Sequence, residues 1–315
     1  MVKLTHTTLR GNWGTLLLPI NDDESIDFAR LADEIDYLIN AKIDGIYSNG
    51  TAGELHNITE NEFDQVNQLL SQKCLAANMP FQSGVSHPFP IVMWERIKRC
   101  NALQPSAYQV ILPDWVALSP KEILDFFIIT ASLAGNIPLV LYNPPHAKKV
   151  LKPDEYGFIA SAIPQLIGIK VAGGDASWFD EMRSHAASLA VFLPGHLLAS
   201  GFKEKVGAGA YSNVACINPV AAQQWWQLMQ TDMDAAIDLE KRMNGFFDRC
   251  IVPFKNAGYS NPALDKFLAA VGGWGKIGTR LRKPYQWIID GEVMAARNIA
   301  ATLIPEFFSV PRPLL

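Results

Sequence analysis

The sequence predicts an α/β protein in which eight strand–helix units close into a barrel, followed by a helical region at the C-terminus. Short apolar segments alternate with longer segments of helical periodicity up to about residue 230. This alternation favours parallel βαβ units, and eight units are typical of a (β/α)₈, or TIM, barrel. An open doubly wound sheet is the alternative, but LLLPINDDES lacks the glycine pattern of a dinucleotide-binding loop.

The strand candidates are short, mostly apolar runs. They are residues 14–20, 44–50, 80–86, 107–113, 138–144, 166–172, 189–195 and 209–215. Apolar side chains at helical spacing predict a first helix over residues 28–41. Thr59 and Glu62 have the spacing of a capping box before the second helix. Pro120 and Pro153 each predict the start of a further helix.

After residue 231 the alternation with strands stops, and three segments have helical character: DAAIDLEKRMNGFFDRC, PALDKFLAAV and EVMAARNIAATLI. We therefore predict a catalytic barrel domain over residues 1–231. Residues 232–315 are predicted to form a helical region that packs on the barrel or on a neighbouring subunit.

Composition argues against several classes of protein. The chain has 315 residues, a formal net charge of −4 and no run of lysine and arginine longer than two, which argues against sequence-independent nucleic-acid binding. Its four cysteines are widely spaced without a C-x-x-C pair, which indicates reduced buried thiols rather than a zinc site or redox pair. No apolar run has the length of a signal-peptide core or membrane span, so we expect a soluble cytoplasmic protein.

Lys170, within the sixth strand candidate LIGIKVA, has the clearest chemical implication. In a (β/α)₈ barrel the active site lies at the C-terminal ends of the strands. An apolar interior disfavours an ammonium group and lowers its pKa. The neutral amine is then a nucleophile that can attack a ketone to form an imine. A structural lysine whose amine reaches the barrel rim is the alternative.

Two further motifs support the catalytic interpretation. Tyr142 ends the fifth strand candidate in YNPP, where its phenol can reach the same interior and move a proton. After the second strand, GTAGE offers backbone N–H groups suited to a carboxylate, with the Thr51 hydroxyl available for a proton relay. Each motif alone is weak, because strand-terminal turns and glycine-rich loops are both common.

In chain order, these motifs resemble the dihydrodipicolinate synthase / N-acetylneuraminate lyase superfamily of class I aldolases. The resemblance extends over nearly the whole chain. It rests on GTAGE at 50–54, YNPP at 142–145, GIK at 168–170 and GAGAYSNVACINP at 207–219.

The resemblance implies a role for each motif. Lys170 would form a Schiff base with pyruvate or with the 2-oxo group of a longer acid, and Tyr142 would transfer protons. Backbone N–H groups from Gly50 to Ala52 would bind the α-carboxylate, and Thr51 would connect to Tyr142. A homo-oligomer, dimer or tetramer, is implied as well. No metal or organic cofactor is expected, because the imine itself accepts electrons.

Several positions differ from the family pattern. Ala52 stands where the family usually has a second hydroxyl, and Trp115 where the dipicolinate branch has a second relay tyrosine. Ala147 stands at the position of that branch's arginine, and His196 follows Gly195 where sialic-acid lyases carry acidic residues. These differences predict a divergent member that is neither a true dihydrodipicolinate synthase nor a sialic-acid lyase.

Most of the remaining candidates keep two interpretations. Trp115 forms an aromatic wall of the pocket or contacts a second subunit. His196 is an acid or base facing the substrate, or it caps the helix that follows it. Tyr211 is expected to line the pocket floor, where its hydroxyl needs a partner. Lys148 and Lys149 lie in a solvated loop or contact a distal carboxylate. The candidate substrate-binding residues are thus Gly50, Ala52, Trp115, Gly195, His196 and Tyr211.

The functional hypothesis is a lyase that cleaves or condenses a 2-oxo acid through the Lys170 Schiff base, with pyruvate as donor or product. A dehydratase of a 2-oxo-3-deoxy sugar acid would use the same lysine and tyrosine. A non-catalytic 2-oxo-acid sensor and a barrel enzyme for a phosphorylated substrate are two further hypotheses. In each case the partner is a small molecule, not a nucleic acid or a membrane.

Overall fold

The computed structural model describes residues 3–310 and contains a closed barrel of eight parallel strands in sequential order. The predicted fold class is therefore confirmed. The strands are β1 (Gly11–Thr15), β2 (Gly45–Tyr47), β3 (Phe81–Gly84), β4 (Ala107–Val110), β5 (Leu139–Tyr142), β6 (Leu166–Lys170), β7 (Ala190–Phe192) and β8 (Gly207–Tyr211). Pairing of Trp13 in β1 with Tyr211 in β8 closes the barrel.

Helices cover the outside of the barrel and form its C-terminal extension. They are α1 (Phe28–Asn40), α2 (Glu60–Ala77), α3 (Pro90–Cys100), α4 (Pro120–Ala134), α5 (Pro153–Ala162), α6 (Ala176–His185), α7 (Leu198–Lys203), α8 (Asn213–Ile217), α9 (Pro219–Thr231), α10 (Met233–Cys250), α11 (Val252–Asn256), α12 (Asn261–Gly272), α13 (Val293–Leu303) and α14 (Glu306–Ser309). The capping box of Thr59 and Glu62 forms as predicted at the start of α2. Pro120 and Pro153 each begin a helix.

The first strand differs from its prediction: it begins at Gly11 and ends at Thr15, whereas residues 14–20 were expected. The apolar run after Thr15 is buried. Its Leu16 N–H still donates to the Tyr47 carbonyl of β2, but the run then leaves the sheet, and the Leu17 N–H donates to a carboxylate oxygen of Glu34 at 2.8 Å. Leu17 is fully buried. Hydrophobicity alone therefore located the buried segment but not the strand within it.

The eighth strand also ends early, at Tyr211 rather than at residue 215. The Ser212 hydroxyl accepts the N–H of Ala215 and so caps the short helix α8. An N-cap of this kind stops the strand because it gives the backbone donors a local partner.

The C-terminal helices close over one side of the barrel. Helix α12 packs so tightly on α8 that a Cβ at Gly272 would lie 1.6 Å from the carbonyl oxygen of Ile217. One apolar core joins Leu16 and Val214, in the barrel, to Phe246 and Phe307 in α10 and α14. The division at residues 231 and 232 stays a prediction, and residues 1–2 and 311–315 lie outside the described residues. Within the described part of the chain, no helix is long and apolar enough to cross a membrane.

Candidate active site

Lys170 is the last residue of β6 and is paired with Tyr142 in β5. Its amine lies among three tyrosine rings, 4.3 Å from the ring centre of Tyr142, 5.0 Å from that of Tyr47 and 5.3 Å from that of Tyr211. It donates a hydrogen bond to the Tyr47 hydroxyl at 3.1 Å. The strand register thus places the only charged residue of β6 in the barrel interior.

This environment makes the amine of Lys170 nucleophilic near neutral pH. Burial lowers the pKa of Lys170 to about 8, while the negative charge of Asp265 opposes that shift. An amine with a pKa near 8 is neutral in a useful fraction of molecules at physiological pH. A neutral amine is the form that attacks a carbonyl group.

Tyr142 and Thr51 form a hydroxyl pair beside this amine. The Thr51 hydroxyl donates to the Tyr142 hydroxyl oxygen at 3.2 Å. Burial raises the pKa of Tyr142, and the bond from Thr51 only partly opposes this effect. The phenol therefore keeps its proton at neutral pH. Because Thr51 is the donor in this pair, the Tyr142 proton is free for a bound molecule.

The loop that carries Thr51 has the geometry of an anion-binding turn. Asn49 and Glu54 both have positive φ, at 49° and 53°. Within residues 3–310, the N–H groups of Thr51 and Ala52 donate to no protein acceptor. Successive free N–H groups in a turn with left-handed residues suit a carboxylate. Gly50 is required beneath them, because a Cβ there would lie 2.4 Å from the Tyr47 ring.

These groups meet in one cavity of about 370 Å³. Six of the predicted site residues line it. They are Thr51, Ala52, Tyr142, Lys170, His196 and Tyr211. The cavity has the size of a small-molecule site and contains convergent polar groups with shifted pKa values, which together mark an active-site candidate.

The model of the dihydrodipicolinate synthetase family matches residues 8–288. The chain belongs to this family. The 4-hydroxy-tetrahydrodipicolinate synthase of Anaplasma marginale (strain St. Maries) is 23% identical over 94% of this chain and 95% of the relative. The N-acetylneuraminate lyase of Rhizobium meliloti (strain 1021) is 23% identical over 94% of this chain and 96% of the relative. The family match establishes the family, whose members are lyases. The identity of 23% to both relatives shows that this member is divergent.

A solved structure of similar fold is the sialic acid aldolase of Ruminococcus gnavus, described as a catalytic lysine mutant. The two chains share 16% sequence identity with a TM-score of 0.83, over 98% of this chain and 100% of the other. The likeness shows that the barrel and its C-terminal helices are arranged alike.

In this dihydrodipicolinate synthetase family member, His196 is held from two sides. Its ring stacks on Phe247 at a centroid distance of 4.8 Å, and the Asn213 side-chain amide donates to Nδ1 at 2.9 Å. Burial lowers the pKa of His196, so the ring is neutral at physiological pH. With Nδ1 accepting, the ring proton resides on Nε2. Gly195 precedes it, and a Cβ at Gly195 would lie 2.7 Å from Asn213 Oδ1.

Tyr211 has the buried position expected of a pocket floor. Its hydroxyl donates to Gln82 Oε1 at 2.6 Å, which supplies the partner that sequence reasoning required. Burial raises the pKa of Tyr211. Since the single phenolic proton of Tyr211 is used in that bond, this residue contributes shape and a ring face to the site.

Trp115 is not brought to the cavity within this chain. Its side chain is 72% exposed. The Lys148 ammonium donates to the Trp115 carbonyl oxygen at 2.5 Å and lies 5.4 Å from the centre of its ring. Lys149 is paired with Glu155. The assignment of Trp115 to a pocket wall or to a subunit contact therefore stays a prediction.

Sequence reasoning missed two cavity residues that act directly on Lys170. Tyr47 accepts its hydrogen bond, and Asp265 supplies the opposing charge. Tyr47 lies on the second strand candidate, and its position just before the SNGTAGE loop could have identified it. Asp265 lies on α12, and no local motif connects that helix with the barrel mouth.

Proposed function

We propose that the protein is a Schiff-base lyase that cleaves or condenses a 2-oxo acid, with pyruvate as donor or product. The observation that carries the proposal is the desolvated amine of Lys170, with its lowered pKa, in a cavity shared with the Tyr142–Thr51 hydroxyl pair. The catalytic lysine of the Ruminococcus gnavus sialic acid aldolase, a protein of similar fold, supports it.

Each group has a part in the proposed reaction. The free N–H groups of Thr51 and Ala52 bind the α-carboxylate, which aligns the 2-oxo group with the amine of Lys170. The amine attacks C2, and Tyr142 transfers a proton from the attacking nitrogen to the C2 oxygen. An acid in the cavity then donates a proton to the C2 hydroxyl, which leaves as water, and the nitrogen lone pair forms the C=N bond of a protonated imine.

The protonated imine allows the bond between C3 and C4 to break. The proton of the C4 hydroxyl passes through the Tyr142 hydroxyl to the conjugate base of the acid that released the C2 water, the C3–C4 electron pair moves to the imine, and an aldehyde leaves. Protonation of the resulting enamine at C3, followed by hydrolysis, releases pyruvate and restores Lys170. In the dehydratase variant, C3 loses a proton and the C4 hydroxyl leaves as water, so the carbon chain stays intact.

The test is reductive trapping on Lys170. The protein is incubated with pyruvate and reduced with borohydride, and the modified peptide is located by mass spectrometry. We expect one adduct on Lys170, none in Lys170→Met, and an unchanged adduct in Lys121→Met, whose side chain is exposed on α4. Trapping of Lys170→Met at the wild-type level would overturn the assignment.

Product analysis then separates the lyase from the dehydratase and the sensor. Incubation with a panel of 2-oxo-3-deoxy acids should release pyruvate together with an aldehyde. Loss of water without pyruvate would replace the aldolase assignment by the dehydratase. An adduct on Lys170 without turnover of any panel member would favour a sensor.

A further inference from the structure

Asp265 brings a carboxyl group from the C-terminal region into the cavity of the reactive amine. It lies on α12 and lines the same cavity as Lys170. Within the described residues, its carboxyl group has no hydrogen-bond or ion-pair partner. Burial raises the pKa of Asp265 to about 7, although the positive charge of Lys170 opposes this shift.

Two contacts fix the helix that carries Asp265. The adjacent Lys266 is fully buried, and its amine bonds to Glu54 at 2.5 Å and to the Arg280 carbonyl at 2.7 Å. At the end of α12, Gly272 lies against the backbone of Ile217. These contacts fix α12, the helix that carries Asp265, against the loop after β2 and against α8.

The ionisable groups around Asp265 come from several elements. The groups whose charges interact with that of Asp265 are Lys170 (β6), Tyr47 (β2), Tyr142 (β5) and Cys216 (α8). The other ionisable groups that line the cavity beside it are His196, Asp248 and Lys255. Burial raises the pKa of Tyr47, Tyr142 and Cys216, so these groups are uncharged near neutral pH. With Cys216 uncharged, Asp265 is the acidic group of the described residues whose charge raises the pKa of Lys170.

We infer that Asp265 is the proton donor and counter-ion of the Lys170 imine, an inference that rests on the proposed function. In the free enzyme the two groups titrate as a coupled pair, because their pKa values of about 8 and about 7 are close and each charge shifts the pKa of the other group. An arriving 2-oxo acid brings a carboxylate, which further favours the protonated form of Asp265.

The proposed step balances in atoms and charge. The neutral amine of Lys170 adds to C2 to give a carbinolamine. Asp265 donates its proton to the C2 hydroxyl, the C2–O bond breaks, and the nitrogen lone pair forms the C=N bond. The products are one water, a protonated imine and the Asp265 carboxylate beside it. Amine, ketone and carboxylic acid thus give the ion pair without a co-reactant.

The first experiment needs no substrate. Trace acetic anhydride labels each lysine in proportion to its neutral fraction, and peptide mass spectrometry from about pH 6 to about pH 10 gives the pKa of Lys170. In Asp265→Asn the charge that raises this pKa is lost, so we expect its midpoint to fall by about one unit. Asp248→Asn, another cavity carboxylate whose charge acts on His196, should leave the midpoint unchanged. An unchanged midpoint in Asp265→Asn would overturn the counter-ion role.

The second experiment measures the proton donation. Borohydride trapping with pyruvate is followed over time in the wild-type protein, Asp265→Asn and Asp248→Asn. The adduct should form at least about tenfold more slowly in Asp265→Asn than in the wild-type protein. Asp265→Glu should recover part of the rate, whereas a merely structural role predicts a lowered unfolding temperature with unaltered trapping. A wild-type rate in Asp265→Asn would overturn the donor role. If wild-type protein forms no adduct, the labelling result still decides whether Asp265 is coupled to Lys170, so the two failures are distinguishable.

Discussion

At the scale of single residues, Tyr142 combines a retained proton with direct contact to the reactive amine. Its ring centre lies 4.3 Å from Lys170 Nζ, and Thr51 donates to its hydroxyl. We expect Tyr142→Phe to slow imine formation by about a hundredfold, since positioned proton transfer contributes roughly 10²–10⁴. The measurement is the rate of borohydride trapping with pyruvate.

Tyr108→Phe is the matched control for this substitution. Tyr108 is fully buried, but its hydroxyl donates to Asn101 outside the barrel interior. It should lose stability without a change in trapping rate. A Tyr142→Phe variant that traps pyruvate as fast as Tyr108→Phe would remove Tyr142 from the proposed mechanism.

Sequence reasoning succeeded for residues whose position follows from a strand end. Lys170 and Tyr142 are the last residues of neighbouring strands, so the barrel alone brings them together. Asp265 could not be found in this way, because its approach to Lys170 depends on how α12 packs on α8. Trp115 was a plausible neighbour by sequence, yet its side chain lies on the surface of this chain.

At the scale of elements, strand limits depended on side-chain partners that lie far away in sequence. The segment after β1 is as apolar as a strand, but its backbone bonds to Glu34 of α1. Strand β8 ends early because Ser212 caps helix α8. The sequence prediction had placed Ser212 inside the strand. Helix starts were predictable because their caps are local.

The loop after β2 and α12 are joined by a buried ion pair. The side chains of Lys266 and Glu54 are 0% and 2% exposed. We expect Lys266→Met to lower the free energy of unfolding by about 3–5 kcal/mol, since it leaves a buried carboxylate without its partner. Urea denaturation measures this loss. The double variant Glu54→Gln/Lys266→Met should lose less, because the uncompensated charge is gone.

Lys98→Met serves as the exposed counterpart. Its ion pair with Glu95 is half exposed on both sides, so the loss should stay below about 1 kcal/mol. Equal losses in Lys266→Met and Lys98→Met would contradict the anchoring role of the buried pair.

At the scale of the whole molecule, the C-terminal helices share their core with the barrel. The cluster that contains Leu16 of the barrel also contains Phe246, Leu268 and Phe307. Neither part can therefore expose its share of the core without disturbing the other. This continuity explains how a residue of α12 can complete a site at the strand ends.

A second link between the two parts makes stability depend on pH. Arg282, beyond α12, bonds to the Glu62 carboxylate at the start of α2. This contact is the main reason that the pKa of Glu62 falls to about 2 from an ordinary value of 4.5. Because the folded value is the lower one, the stabilisation is fully present above about pH 4.5 and is lost as the pH falls through about 2.

We therefore expect Glu62→Gln to flatten the acid limb of the stability curve. The difference in unfolding free energy between wild type and Glu62→Gln should be about 2 kcal/mol at about pH 6 and should shrink toward zero at about pH 2. Urea unfolding at a series of pH values measures it, and the glutamine keeps the capping geometry of Thr59. Glu95→Gln, whose pair with Lys98 is exposed, should show no such trend. A difference that stays constant from about pH 6 to about pH 2 would mean that the contribution of Glu62 is one of packing, and that Arg282 does not join the C-terminal region to α2 through charge.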